Sequence, residues 1–143
     1  MSQVSREDLY RFLARHKLGV LSYVSPAGAP RSAMMGYAVT PEIELIFDTV
    51  KSSRKYGDLI ARPACAFVVA WEGEKTVQFE GRAEELAGEE LARCQEIYFR
   101  AFPDGPARLS WPGIVYFVVK PLWVRYTDYL EQPPLIQEFR FGG

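Results

Sequence analysis

Ile46-Phe47-Asp48-Thr49-Val50-Lys51-Ser52-Ser53-Arg54-Lys55-Tyr56-Gly57-Asp58-Leu59 is the stretch on which the reading of this chain turns. It opens as an apolar strand, passes through a short polar turn, and presents Ser53, Arg54 and Lys55 where a helical apolar pattern (Tyr56, Leu59, Ile60) begins. A helix start leaves its first backbone N–H groups without partners and carries partial positive charge. Hydroxyls with an Arg and a Lys beside such a start suit a terminal phosphate. The same residues also describe an ordinary solvent-facing N-cap, and the local pattern alone leaves both readings open.

Working outward, Ile43, Leu45 and Phe47 alternate with Glu44, Ile46 and Asp48 as a strand, and Pro63 discourages a helix beyond about Ala61. Upstream, Ser5-Arg6-Glu7-Asp8 has the form of a capping box ahead of Leu9, Phe12 and Leu13, which predicts a helix to about Lys17. Gly19–Val24 and Arg31–Val39 read as strands about the Ser25–Pro30 turn. Ala64–Trp71 and Thr76–Leu86 read as a hairpin pair, and Gly88–Phe102 as an amphipathic helix. The last long strand, Ile114–Tyr126, contains Pro121, which implies an edge, a bulge or a break. From about residue 131 the tail Gln132-Pro133-Pro134 reads as extended, with Leu135, Ile136, Phe139 and Phe141 available for docking. Six strands joined by short turns cannot make the crossovers of a parallel sheet, so a mainly β, antiparallel barrel with three helices is expected.

The chain's 143 residues are expected to form one domain. Its net charge of −1 argues against a general nucleic-acid or membrane-surface binder, which needs a dominant basic face. Charge is local instead. Residues 51–62 hold four basic residues against one acidic, whereas residues 72–96 hold eight acidic against three basic. Cys65 and Cys94 lie in an apolar run and a helical pattern, so buried thiols in a reducing cytoplasm are expected in place of a disulfide framework. No apolar stretch reads as a leader or a membrane span, and a soluble cytoplasmic protein is expected. One histidine and two separated cysteines offer no metal site, and no Ser, His and acid set suggests hydrolysis.

Arg31-Ser32-Ala33-Met34-Met35 lies one strand before the polar turn, Phe47-Asp48-Thr49 leads into it, and Thr76-Val77-Gln78-Phe79-Glu80-Gly81 follows one hairpin later. This order and spacing, from about Leu9 to Tyr129, resembles the pyridoxamine 5'-phosphate oxidase-like family of FMN-binding split barrels. The resemblance implies a six-stranded antiparallel split β-barrel of Greek-key topology, and a homodimer with FMN at the interface. On it, Arg31, Ser32, Ala33 and Met34 line the flavin, Asp48 and Thr49 contact it, and Ser53, Arg54 and Lys55 grip the phosphate. A glutamine reaching across from the partner subunit maps by spacing to Thr76 and by chemistry to Gln78. Trp123 falls near a flavin-contacting tryptophan, although a core or interface aromatic is an equal reading.

The departures are as informative. Gly36 and Phe102 stand where the resemblance implies a Lys and an Arg that hold the vitamer substrate, while Tyr98 is retained. The expectation is therefore an FMN-dependent oxidoreductase whose substrate is not pyridoxamine phosphate. No catalytic residue is named. The alternative is a non-catalytic module for flavin, deazaflavin cofactor or haem.

Overall fold

The structure, a computed structural model, describes residues 3–142, with backbone only at Ala70 and Trp71; residues 1, 2 and 143 of the expected domain lie outside the described residues. Helix α1 (Arg6–Ala14) is followed by strands β1 (Leu18–Val24), β2 (Pro30–Gly36), β3 (Ala38–Val39) and β4 (Leu45–Val50), then helix α2 (Arg54–Ala61). Strands β5 (Ala64–Glu72) and β6 (Lys75–Glu85), helix α3 (Gly88–Ala101), a 3-10 turn (Gly105–Ser110), and strands β7 (Ile114–Asp128) and β8 (Leu135–Arg140) complete the order.

All strand pairs are antiparallel, and the path runs β2-β1-β5-β6-β7-β4-β3 with β8 added to β7. The two ends of that path are halves of one strand. β2 pairs with β1 as far as Gly36, and after Tyr37 the chain pairs with β4 through Ala38 and Val39. A single bent segment thus bridges both edges and curls the sheet into a split barrel. The difference between six expected strands and eight observed comes from this bend and from the tail. The Pro-rich tail turns at its start and then forms β8, with Phe139 buried in the core. Ile43, read as the start of a strand, sits instead in the Thr40–Glu44 turn with φ +65°.

Alternation places Leu21, Phe47, Phe67, Phe79, Phe117 and Val124 inside the barrel, closed at one end by α1 residues Leu9 and Leu13 and packed against Leu59 of α2. A second cluster lies outside the barrel wall, where Cys94 and Tyr98 of α3 cover Ala38, Ile46, Tyr116 and Val118. Pro121 coincides with a bulge. Glu80 faces Trp123 while the next residue, Gly81, faces Pro121, leaving Leu122 as the extra residue. Gly81 is required there, because a β-carbon would collide with the Lys120 carbonyl oxygen. No helix among the described residues is long and apolar enough to cross a membrane.

Candidate functional site

The site is built at the β4–α2 junction. Thr49 is an inward-facing position of β4, and its Oγ1 lies 3.0 Å from Ser53 Oγ. Ser53 occupies the N-cap position of α2 with extended backbone, yet its side chain makes no capping hydrogen bond. The hydroxyl that would close the helix start is turned toward Thr49. Arg54 and Lys55, the first two helical residues, have no i−4 carbonyl for their N–H groups, and no acidic residue sits in the first turn. Neither side chain joins an ion pair among the described residues. Burial pushes the Lys55 ammonium below its usual pKa, as expected for a partly desolvated cation lacking a carboxylate.

Other residues singled out from the sequence divide by face. Arg31 and Ala33 share the inward side of β2 with Tyr23 and Leu21 of β1, and Arg31 reaches α2, where Nη1 donates to Asp58 Oδ2 at 2.6 Å. Asp48 points away from the barrel interior, beneath α3. It accepts from the Tyr98 hydroxyl at 3.1 Å and from Arg108 Nε at 2.9 Å. That carboxylate raises the Arg108 pKa, while burial raises the Tyr98 pKa first and Asp48 second. Asp48 therefore ties the 3-10 turn and α3 to β4. The neighbouring loop also touches the β4–α2 turn directly, since Lys51 N–H donates to the Gly113 carbonyl at 2.8 Å.

Ser32, Met34, Gln78 and Trp123 lie on the outer face of the sheet, with Thr76 on the same side of β6. The register sets Ser32, Ser22, Ala66, Glu80 and Trp123 in one row across five strands. Met34, Val20, Val68, Gln78 and Arg125 form the next. Unlike the face under α3, this one is bare among the described residues, with Met34, Val68 and Leu122 exposed. At about 4.8 Å per strand step, Ser32 and Trp123 stand roughly 19 Å apart along the sheet and Met34 and Gln78 roughly 14 Å. The β2 residues and the β6–β7 residues do not converge within one protomer. Trp123 is further engaged by Glu138, which accepts from Nε1 at 3.3 Å, and by the Arg125 guanidinium 5.3 Å from its ring centre.

Phe102 and Gly36 are one packing unit. A β-carbon on Gly36 would lie 3.0 Å from Phe102 Cζ, and Phe102 in turn lies on Tyr98 with ring centres 4.8 Å apart. His16 places Nε2 2.9 Å from Glu72 Oε1, beside the Arg15 guanidinium. Among the described residues no group of His, Cys, Asp or Glu could hold a metal ion. Cys65 and Cys94 are free and buried, with burial pushing the Cys65 thiol up to about 12.

Comparison with known proteins bears directly on this arrangement. The family model for pyridoxamine 5'-phosphate oxidase matches residues 5–128. The chain belongs to that family. It is 30% identical over 125 residues to a pyridoxine/pyridoxamine 5'-phosphate oxidase of Burkholderia multivorans, covering 80% of this chain and 56% of that protein. The chain thus spans about half the length of the curated relatives it matches. Its fold is shared with a heme binding protein from Mycobacterium smegmatis, at a TM-score of 0.81 and 16% identity over 98% of this chain and 60% of that one. It is also shared with a pyridoxamine 5'-phosphate oxidase-related, FMN binding protein from Nostoc punctiforme, at 0.67 and 13% over 94% and 91%.

Within the family frame, sequence reasoning singled out Arg31 but missed what holds it. Asp58 binds both Arg31 and Arg62, and Arg62 Nε donates to the Val24 carbonyl at 3.2 Å. A signal was present in the sequence, since a lone acid in a basic segment, three and four residues after two cations, has to face some positive charge.

Proposed function

We propose that this chain is an FMN-binding flavoprotein, acting as a cytoplasmic homodimer and an FMN-dependent oxidoreductase whose substrate is not pyridoxamine phosphate. The observation that carries the reading is the start of α2, an uncapped helix terminus bearing two cations without counter-ions among the described residues, one of them partly buried. A phosphate near minus two charge supplies what this terminus lacks. The residues present therefore fit the phosphate end of FMN. Arg54, Lys55 and Ser53 would hold its phosphate, with Thr49 fixing the Ser53 hydroxyl.

The bound flavin would supply the electron chemistry. The protein's part is to bind, orient and exclude water. Separation of the β2 residues from the β6–β7 residues supports a site completed by two copies. A second barrel laid on the bare face would bring Thr76, Gln78 and Trp123 of one protomer toward Ser32 and Met34 of the other, while Arg31 and Ala33 face the interior of their own barrel. In this reading Asp48 acts from behind, by fixing the strand that leads into the phosphate turn. The substrate reading rests on Gly36 and Phe102. A glycine and a phenyl ring packed on each other offer no charge to a phosphorylated vitamer.

Thermal titration of the purified protein with FMN, deazaflavin cofactor and haem tests this. FMN is expected to raise the melting temperature with the logarithm of its concentration, and the other two to act weakly. A stronger effect of deazaflavin cofactor or haem would move the chain to the alternative reading of a non-FMN binding module. Turnover is tested separately, by bleaching of the bound flavin with reduced nicotinamide donors and recovery in air. A flavin that binds but never reduces would make the protein a carrier or sensor.

A further inference from the structure

Asp58 stands three residues after Lys55 and four after Arg54, the two spacings at which a helix brings opposite charges together. It pairs with neither. Oδ2 accepts from Arg31 Nη1 at 2.6 Å and Oδ1 accepts from Arg62 Nη2 at 3.2 Å, so both carboxylate oxygens are engaged. The Asp58 side chain is 8% exposed, against 25% for Arg31 and 36% for Arg62. Arg62 is the C-cap residue of α2 and is anchored in turn on the Val24 carbonyl at the end of β1.

We infer that Arg31, Asp58 and Arg62 form a clamp that holds the Asp58 carboxylate away from Arg54 and Lys55, and so keeps both cations free for an anionic ligand. Asp58 and Arg62 are positioning residues. The inference rests on the phosphate reading of the α2 start, but the clamp itself is a property of the unliganded chain. The physical argument is competition. A nearly buried carboxylate deprived of one guanidinium must satisfy the freed oxygen. The nearest cations on its own helix are Arg54 and Lys55. Their capture would neutralise the terminus that the turned-away Ser53 hydroxyl leaves open. Two arginines from outside the first turns of α2 prevent this, and each is held by a different element of the fold.

The test is a double-mutant cycle on the full chain. Arg62→Met removes one guanidinium and keeps most of the stem, and should weaken FMN binding about tenfold by fluorescence titration. Adding Asp58→Asn removes the competing charge, and the double variant should return to within about twofold of wild type. A merely structural clamp predicts the opposite, a double variant weaker than the single one. Asp58→Asn alone, in which no carboxylate can be recaptured, should lower thermal stability yet bind FMN more tightly than Arg62→Met, and binding as weak as that of Arg62→Met would overturn the clamp.

A second readout needs no ligand. Modification of Arg54 by phenylglyoxal, followed by peptide mass spectrometry, should be fast in wild type, severalfold slower in Arg62→Met and fast again in the double variant. Equal Arg54 reactivity in all three overturns the clamp. A wild type that ignores FMN while Arg54 shows the expected pattern overturns the cofactor reading and leaves the clamp standing.

Discussion

Helices α1 and α2 begin with the same residue type and end in opposite chemical states. At α1, Ser5 Oγ accepts from the Asp8 N–H at 3.0 Å, Asp8 Oδ2 accepts from the Ser5 N–H at 3.0 Å, and Glu7 and Asp8 place negative charge in the first turn. At α2, Ser53 caps nothing, no acid sits in the first turn, and neither Arg54 nor Lys55 joins an ion pair among the described residues. The first start is complete within the chain. The second is left open by the chain's described residues, so a serine at a helix N-terminus does not by itself show that the helix start is closed.

The largest effect that would sharpen this contrast is on ligand binding. Replacing both Arg54 and Lys55 by Ala removes two charge-assisted contacts worth about 1.5–3 kcal/mol each, so FMN affinity should fall at least about a hundredfold. The unliganded variant should melt no lower than wild type, because Lys55 is desolvated without compensation. Equilibrium dialysis together with a melting curve checks both, and near-stoichiometric retention of FMN would remove the phosphate site from α2.

Next in size is the loss of the Asp58 carboxylate. Asp58→Asn exchanges two charge-assisted bonds for weaker ones while leaving two part-buried guanidinium groups, and after allowance for their exposure should cost about 2 kcal/mol of stability. Urea denaturation measures it. A stability unchanged by the substitution would mean that the Arg31 and Arg62 contacts do not hold α2 to β1 and β2.

The serines themselves give a crossed pair of smaller effects. Ser5→Ala should cost about 1 kcal/mol of stability and leave FMN binding untouched. Ser53→Ala loses no cap and only the hydroxyl contact with Thr49, so it should cost about 0.5 kcal/mol of stability, yet weaken FMN severalfold. The same destabilisation at both positions would erase the distinction between the two helix starts.

Much of this is legible in the sequence. The Ser5–Asp8 box, the α2 bounds at Arg54–Ala61 and the α3 span follow from local chemistry within a few residues, and Pro121 marks an irregularity that the pairing then shows to be a bulge, out of an edge, a bulge or a break. What was not legible depends on partners far along the chain. That Ser53 points to Thr49, that Asp48 is claimed by Tyr98 and Arg108, and that Arg31 is claimed by Asp58 are decided by which elements the barrel brings together. The bend at Tyr37, where one strand changes partner, is likewise invisible to an alternation pattern that runs unbroken from Arg31 to Val39. Period-2 patterning says which side chains share a face and says nothing about which neighbour the strand pairs with.

The smallest expected effect concerns the other end of α1, which is also satisfied within the chain. Glu72 on the β5–β6 hairpin accepts two bonds from Arg15 at 3.0 Å and lies 2.9 Å from His16 Nε2, and the Arg15 guanidinium first, with His16 adding to it, lowers the Glu72 pKa to about 2. A carboxylate depressed in the folded state contributes stability that is fully present above its unfolded pKa, near 4.5, and is lost as pH falls from there toward 2. Wild type should therefore lose melting temperature over that window more steeply than Glu72→Gln, and the two curves should converge at the acid end. Because Glu72 is well exposed, solvent screening keeps the difference small, and added salt should shrink it further. Parallel acid melts of the two proteins at low salt would mean that the α1 end is held by packing alone. In that case α1 would owe only its start to charge, and the contrast with α2 would narrow to the two serines.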